Sequence, residues 1–163
     1  MLNNIEMMGR KRIEDGNLPD LLLNATDKKK LWFLAAPYTG YTLSQMEIQS
    51  FPDAYQRNAK ALRGALASTR TKNVQRELLR RDYHVLCYIT MMFMIEVDVT
   101  DPFDKPTEWW LDQSVKLVER SEGLLLITFP GWDRSRGVAV EVGAATITGK
   151  PIYLVNPDPT QWK

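Results

Sequence analysis

Short apolar runs alternate along the chain with longer segments whose apolar residues recur at helical spacing, and the two patterns predict different elements. "LWFLAAP" at 31–37 is nearly continuous in apolar residues, as a strand buried on both faces should be. From 52 to 81 the apolar positions Ala54, Ala59, Ala61, Leu62, Leu66, Leu78 and Leu79 follow a helical period, with "STRTKN" at 68–73 as a candidate break between two helices. "YHVLCYIT" at 83–90 reads as a second strand, and "MMFMIEVDVTDPFDKP" as an irregular segment closed by prolines. A helix is predicted over 107–120 with Pro106 at or near its first turn, followed by a third strand, "GLLLITF", at 123–129. "GVAVEVGAATITG" is a further helix ending at Gly149, a suitable C-cap, and "PIYLV" is the last strand.

Strands that alternate with helices through short joints require crossover connections, and these build a parallel sheet covered on both faces. The expected fold is therefore α/β, a flavodoxin- or Rossmann-like three-layer sandwich with a mainly parallel sheet. Residues 31–163 form its single domain. Residues 1–30 are a polar N-terminal extension broken by Gly16 and Pro19, in which "LLL" at 21–23 can dock as an extra element.

Composition narrows the chemistry. The chain has 163 residues, 44% hydrophobic and 25% charged, which suits one soluble globular domain. With 21 basic against 20 acidic residues, nothing global steers it toward a nucleic acid polymer or an anionic membrane, so any bound anion must be met locally. One cysteine, Cys87, excludes an internal disulfide, and with one histidine, His84, no Cys/His zinc site can be assembled. The expected chemistry needs neither metal nor cofactor. No signal peptide or membrane span is visible, which reads as a cytoplasmic protein.

One segment stands out, "FPGWDRSRGVAVEVGAATITGKP" at 129–151, where Glu141 lies alone among small and apolar residues. In a parallel α/β sheet ligands bind beyond the carboxyl ends of the strands, and "PGWDRSRG" leaves the third strand at that end. Glu141 follows Gly137 by four residues, and its helical neighbours Gly137, Ala144, Ala145 and Thr148 are small enough to leave room for a ligand. Free N–H groups at the helix start favour an anion such as a phosphate. The structural alternative is a helix-dipole acid paired with Arg134 or Arg136.

"LAAPYTG", "EWWLDQSVKLVERSEGLLLI" and "PGWDRSRGVAVEVGAATITGKPIYLV" together resemble the nucleoside 2-deoxyribosyltransferase-like family, including its deoxynucleoside 5′-monophosphate N-glycosidase branch, over about residues 31–155. The resemblance implies that Glu141 is the nucleophile on the anomeric carbon and that Asp112, on the preceding helix, serves the departing base. It also implies a small nucleotide or nucleoside as substrate, and a homodimer. One carboxylate can trap the sugar covalently while a second group handles protons. Asp112 has a competing reading, because Glu108, Asp112, Lys116 and Glu119 can form a solvated charge stripe.

Ser135 distinguishes branches of that family. The base-exchanging transferases carry an aspartate at about this position for the sugar 5′-hydroxyl, whereas a serine beside Gly137 and Arg136 suits a 5′-phosphate. Ser135 also fits a plain helix N-cap, and Arg134 and Arg136 can clamp phosphate or merely solvate the loop. Tyr38, Thr39 and Gly40 can offer hydroxyls and backbone N–H groups to the sugar or phosphate, although the loop arginine common in the monophosphate hydrolases is missing. Trp109 and Trp110 can stack on a base or belong to the core, and Met91, Met92, Phe93 and Met94 can wall the base pocket, line a subunit interface or belong to the core. The expected activity is hydrolysis of the N-glycosidic bond of a (deoxy)nucleoside 5′-monophosphate through a glycosyl-glutamate. Base exchange, a non-catalytic nucleotide-binding module and cleavage of a larger substrate such as NAD are the alternatives.

Overall fold

The computed structural model describes residues 13–14, 28–96 and 105–162. Its strands are β1 (Ile13–Glu14), β2 (Leu31–Ala35), β3 (His84–Leu86), β4 (Gly123–Ile127) and β5 (Ile152–Val155). They form one sheet in the order β1-β5-β4-β2-β3 with every neighbouring pair parallel. The neighbouring inner strands β2 and β4 are nearly continuous apolar runs, and Leu124, Leu125, Leu126 and Ile127 are fully buried. The expected α/β three-layer architecture is what these residues build.

The helices are α1 (Gln45–Ser50), α2 (Pro52–Arg80), α3 (Tyr88–Glu96), α4 (Thr107–Arg120) and α5 (Arg136–Ile147). Side chains alternate across a strand, so each strand feeds both layers. Trp32, Leu34, Leu125 and Ile127 pack with Ala67, Val74 and Leu78 of α2 on one face. Phe33, Ala35, Leu124 and Leu126 pack on the other with Met92 of α3, Trp110 and Val118 of α4, and Val142 and Ala145 of α5.

Three local readings change. The break expected at 68–73 is absent; α2 runs through it because the Thr71 hydroxyl donates to the Ala67 carbonyl at 2.7 Å and needs no partner outside the helix. The break lies instead at Asn58 (φ −160°, ψ 85°), whose side chain accepts from the Ala61 N–H at 3.0 Å and so caps the second part of the helix. The second strand is only three residues long, and 88–96 is helical rather than strand and irregular segment. As a helix it buries Tyr88 and Met92, one turn apart, against the α4 face of the sheet. In the N-terminal extension, Ile13–Glu14 pairs with β5 at the sheet edge, while "LLL" at 21–23 lies outside the described residues. Gly149 adopts positive φ (72°) just past α5, as a residue ending that helix should.

Candidate functional site

The chain leaves β2 toward β3 on one side of the sheet and leaves β4 toward β5 on the other, so the connections diverge between the adjacent strands β2 and β4. Divergence of that kind opens a crevice beyond the strand ends. A cavity of about 880 Å³ lies there. Ala36, Tyr38 and Thr39 enter it from the loop after β2, Asn58, Lys60, Ala61 and Gly64 from α2, and Tyr88, Ile89, Met92 and Phe93 from α3. Trp110, Leu111 and Ser114 of α4 and Ser135, Arg136, Gly137 and Glu141 at the start of α5 close the remaining sides.

Glu141 is 6% exposed and faces this cavity. Among the described residues it has no ion pair: the Arg136 guanidinium donates to both Glu108 oxygens at 2.9 and 2.8 Å, and Arg134 lies 3.9 Å from its neighbour Asp133. The helix-dipole pairing with either arginine is therefore not made. Burial pushes the Glu141 carboxyl up to about 8, and the Ser114 hydroxyl beside it draws the value back only in part. Near it, burial pushes the Cys87 thiol up to about 11, against hydrogen bonds at Thr90, so this cysteine is an inert core residue.

Ser114 is the residue that sequence reasoning missed. It is buried on the same stripe of α4 as Trp110 and Val118, each one turn from the next. A hydroxyl at the middle of an otherwise apolar stripe was the available signal. Asp112 is two residues away, which on a helix is a rotation of about 200°. It accordingly points outward, with its side chain 57% exposed and 2.5 Å from Lys116. The structure does not bring Asp112 to the cavity; it lies on the solvated face with Glu108 and Lys116. The same phase places Trp110 in the cavity, whereas Trp109 lies outside it and packs edge-on against Trp110 with ring centroids 5.0 Å apart.

Ser135 is 5% exposed and caps α5 by accepting from the Val138 N–H at 3.4 Å. Gly40 does not line the cavity but lets two loops meet. A Cβ at Gly40 would stand 2.9 Å from the Ser135 Cα, and one at Gly131, where φ is 93°, would stand 2.1 Å from the Gly40 carbonyl oxygen. The Thr42 N–H donates to the Pro130 carbonyl across the same junction at 2.9 Å. The other end of the β2 loop is tied down through Glu47, which accepts from the Tyr41 hydroxyl and Arg70 Nε, both at 2.8 Å, and from the Ser44 N–H at 2.7 Å. Burial pushes the Glu47 carboxyl up, but these donors outweigh it and hold the carboxyl below its ordinary range. Tyr38 and Thr39 are thus presented by a loop fastened at both ends. His84 is exposed at the start of β3 and Met91 and Met94 are exposed on α3, away from the cavity.

Among the described residues no group of His, Cys, Asp and Glu could hold a metal ion, and no helix is long and apolar enough to cross a membrane. The fold and site define an all-parallel α/β domain whose crevice presents a buried carboxyl group, without an ion pair among the described residues, beside a capped helix start. Residues 30–156 match the family described as a domain of unknown function (DUF1937), and the chain belongs to that family. Comparison with curated proteins finds no match.

Proposed function

We propose that this protein hydrolyses the N-glycosidic bond of a (deoxy)nucleoside 5′-monophosphate, with Glu141 as nucleophile. The observation that carries the reading is a carboxyl group 6% exposed, without an ion pair among the described residues, facing a cavity of about 880 Å³. Such a group costs stability, and perturbed carboxyls in clefts mark functional sites. Tyr88, Met92, Phe93, Trp110 and Leu111 supply an apolar and aromatic wall suited to a base. Ser135, Gly137 and the start of α5 supply hydrogen-bond donors suited to a phosphate.

The chemistry follows from the single carboxylate. A Glu141 oxygen attacks C1′ as the C1′–N bond breaks; the bonding pair leaves with the base, which takes a proton from solvent. Water then adds to C1′, the ester bond breaks, Glu141 recovers its carboxylate and the water proton returns to solvent. The balance is nucleotide plus water to sugar phosphate plus free base. Thr39, Lys60 and Arg136 are exposed and line the cavity, so water has a route in. The Ser114 hydroxyl donates to the Leu111 carbonyl at 2.9 Å and lies beside Glu141, so a rotation about its C–O bond turns the proton to the ionised form of Glu141. A homodimer belongs to the same reading.

A second reading is a nucleotide-binding module without turnover. It is favoured by the position of Asp112, because Glu141 is then the one acid among the described cavity residues. Incubation with nucleosides and their 5′-monophosphates, with and without an acceptor base, and chromatography of the products separate the readings. Free base supports hydrolysis, and an exchanged nucleoside supports transfer. Binding in calorimetry without released base supports the module.

A further inference from the structure

The cavity holds a positive charge that the proposed chemistry has not used. The arginines of the loop after β4 are both engaged: Arg136 lies 2.8 Å from Glu108 and Arg134 lies 3.9 Å from Asp133. Each forms a locally neutral pair, which leaves little net charge on that side for a phosphate. Lys60 lines the same cavity from α2, and among the described residues its side chain has neither an ion pair nor a hydrogen bond.

Its place in the helix sharpens the observation. Asn58 interrupts α2 and caps its second part through the Ala61 N–H at 3.0 Å. Lys60 therefore sits in the first turn of a long helical segment, where the helix dipole disfavours a cation. The acid that would normally stand there is absent; Asp53 lies before the interruption. One turn further on the same face is Gly64, where an added Cβ would be 2.9 Å from the Tyr38 hydroxyl oxygen, so this stretch of α2 packs directly on the β2 loop that enters the cavity. A cation without a partner among the described residues, on the wall of a ligand-sized cavity, is an arrangement that an anionic ligand group would complete.

We propose that Lys60 is the specificity-determining residue of this cavity, the cation that receives the phosphoryl group of the substrate, in place of Arg136. The proposal rests on the nucleotide reading for the identity of the substrate, but the anion contact itself can be tested without it. Lys60 is exposed, so Lys60→Met should leave the fold intact, which circular dichroism checks.

The experiment compares wild type, Lys60→Met, Lys60→Arg and Arg136→Met in two measurements. In the first, inorganic phosphate is titrated at constant ionic strength and the melting temperature is followed. Wild type, Lys60→Arg and Arg136→Met should be stabilised and Lys60→Met should not. No phosphate effect in wild type, or an unchanged effect in Lys60→Met, overturns the proposal. In the second, calorimetry compares a deoxynucleoside 5′-monophosphate with its parent nucleoside. Lys60→Met should weaken the monophosphate by about tenfold to a hundredfold and leave the nucleoside unchanged. Equal losses for both ligands, or a loss confined to Arg136→Met, also overturn it. If wild type responds to phosphate through Lys60 but releases no base from any nucleotide, the hydrolytic reading falls while the anion site stands.

Discussion

Replacing Glu141 by glutamine should make the protein more stable and inactive at once, and the stability gain should depend on pH. Burial pushes the Glu141 carboxyl from its ordinary 4.5 up to about 8. Between those values the unfolded chain has lost a proton that the folded protein still holds, so stability falls as pH rises. The contribution of this group is complete below pH 4.5, is lost progressively up to about pH 8 and then stays constant. Each pH unit in that window removes about 1.4 kcal/mol, which gives about 3 kcal/mol at pH 7 and about 5 kcal/mol above pH 8. The amide of Glu141→Gln does not titrate, so the mutant lacks this slope. Relative to wild type it should gain nothing near pH 4.5 and about 3 kcal/mol at pH 7. For a chain of this size that corresponds to a rise in melting temperature of roughly 6–12 °C. Urea and thermal denaturation followed by circular dichroism at pH 4.5, 7 and 8.5 give the three values, and a base-release assay gives turnover, expected to be abolished because an amide is a poor nucleophile. A difference between mutant and wild type that does not change with pH would refute the reasoning, since the carboxyl would then not be held protonated by the fold.

The same ionisation sets the pH dependence of catalysis: kcat/KM should climb about tenfold per pH unit below about 8 and level off above it, whereas a decline above 8 would make the carboxylic acid, as proton donor, the active form. Asp112→Asn should change turnover by less than about threefold, because its carboxylate faces Lys116 rather than the cavity, while Ser114→Ala should move the kcat/KM midpoint to higher pH by removing the hydroxyl beside Glu141. A large loss in Asp112→Asn with normal folding would restore it to the reaction. Ser135→Asp keeps a good helix cap but sets a carboxylate where the phosphate is proposed to bind, and should cost roughly a hundredfold in kcat/KM for monophosphates and far less for nucleosides. Equal losses for the two substrates would reduce Ser135 to a cap.

Local pattern carried most of the architecture. The continuous apolar run at 123–127 and the small-residue helix around Glu141 could be placed from neighbours in sequence, because burial on both faces of a parallel strand and helix amphipathicity write themselves into adjacent residues. The parallel sheet and a site beyond its strand ends near Glu141 follow from that pattern and general rules of topology, whereas the strand order and the lack of an arginine partner at Glu141 do not. Rotational phase and pairing across the fold did not. Whether Asp112 or Ser114 meets Glu141 depends on which side of α4 packs against α5, and the packing turns Trp110, Ser114 and Val118 inward and the charged stripe out. Whether Arg136 is free depends on the approach of Glu108, 28 residues earlier in the chain. The break in α2 came at Asn58 rather than at 68–73, because buried Ser68 and Thr71 are accommodated within the helix and Asn58 can cap the segment that follows. Contacts of that range join residues whose separation in sequence carries no information about their distance, and so charge pairing, helix phase and the place of Lys60 on the cavity wall emerge only when the layers are assembled.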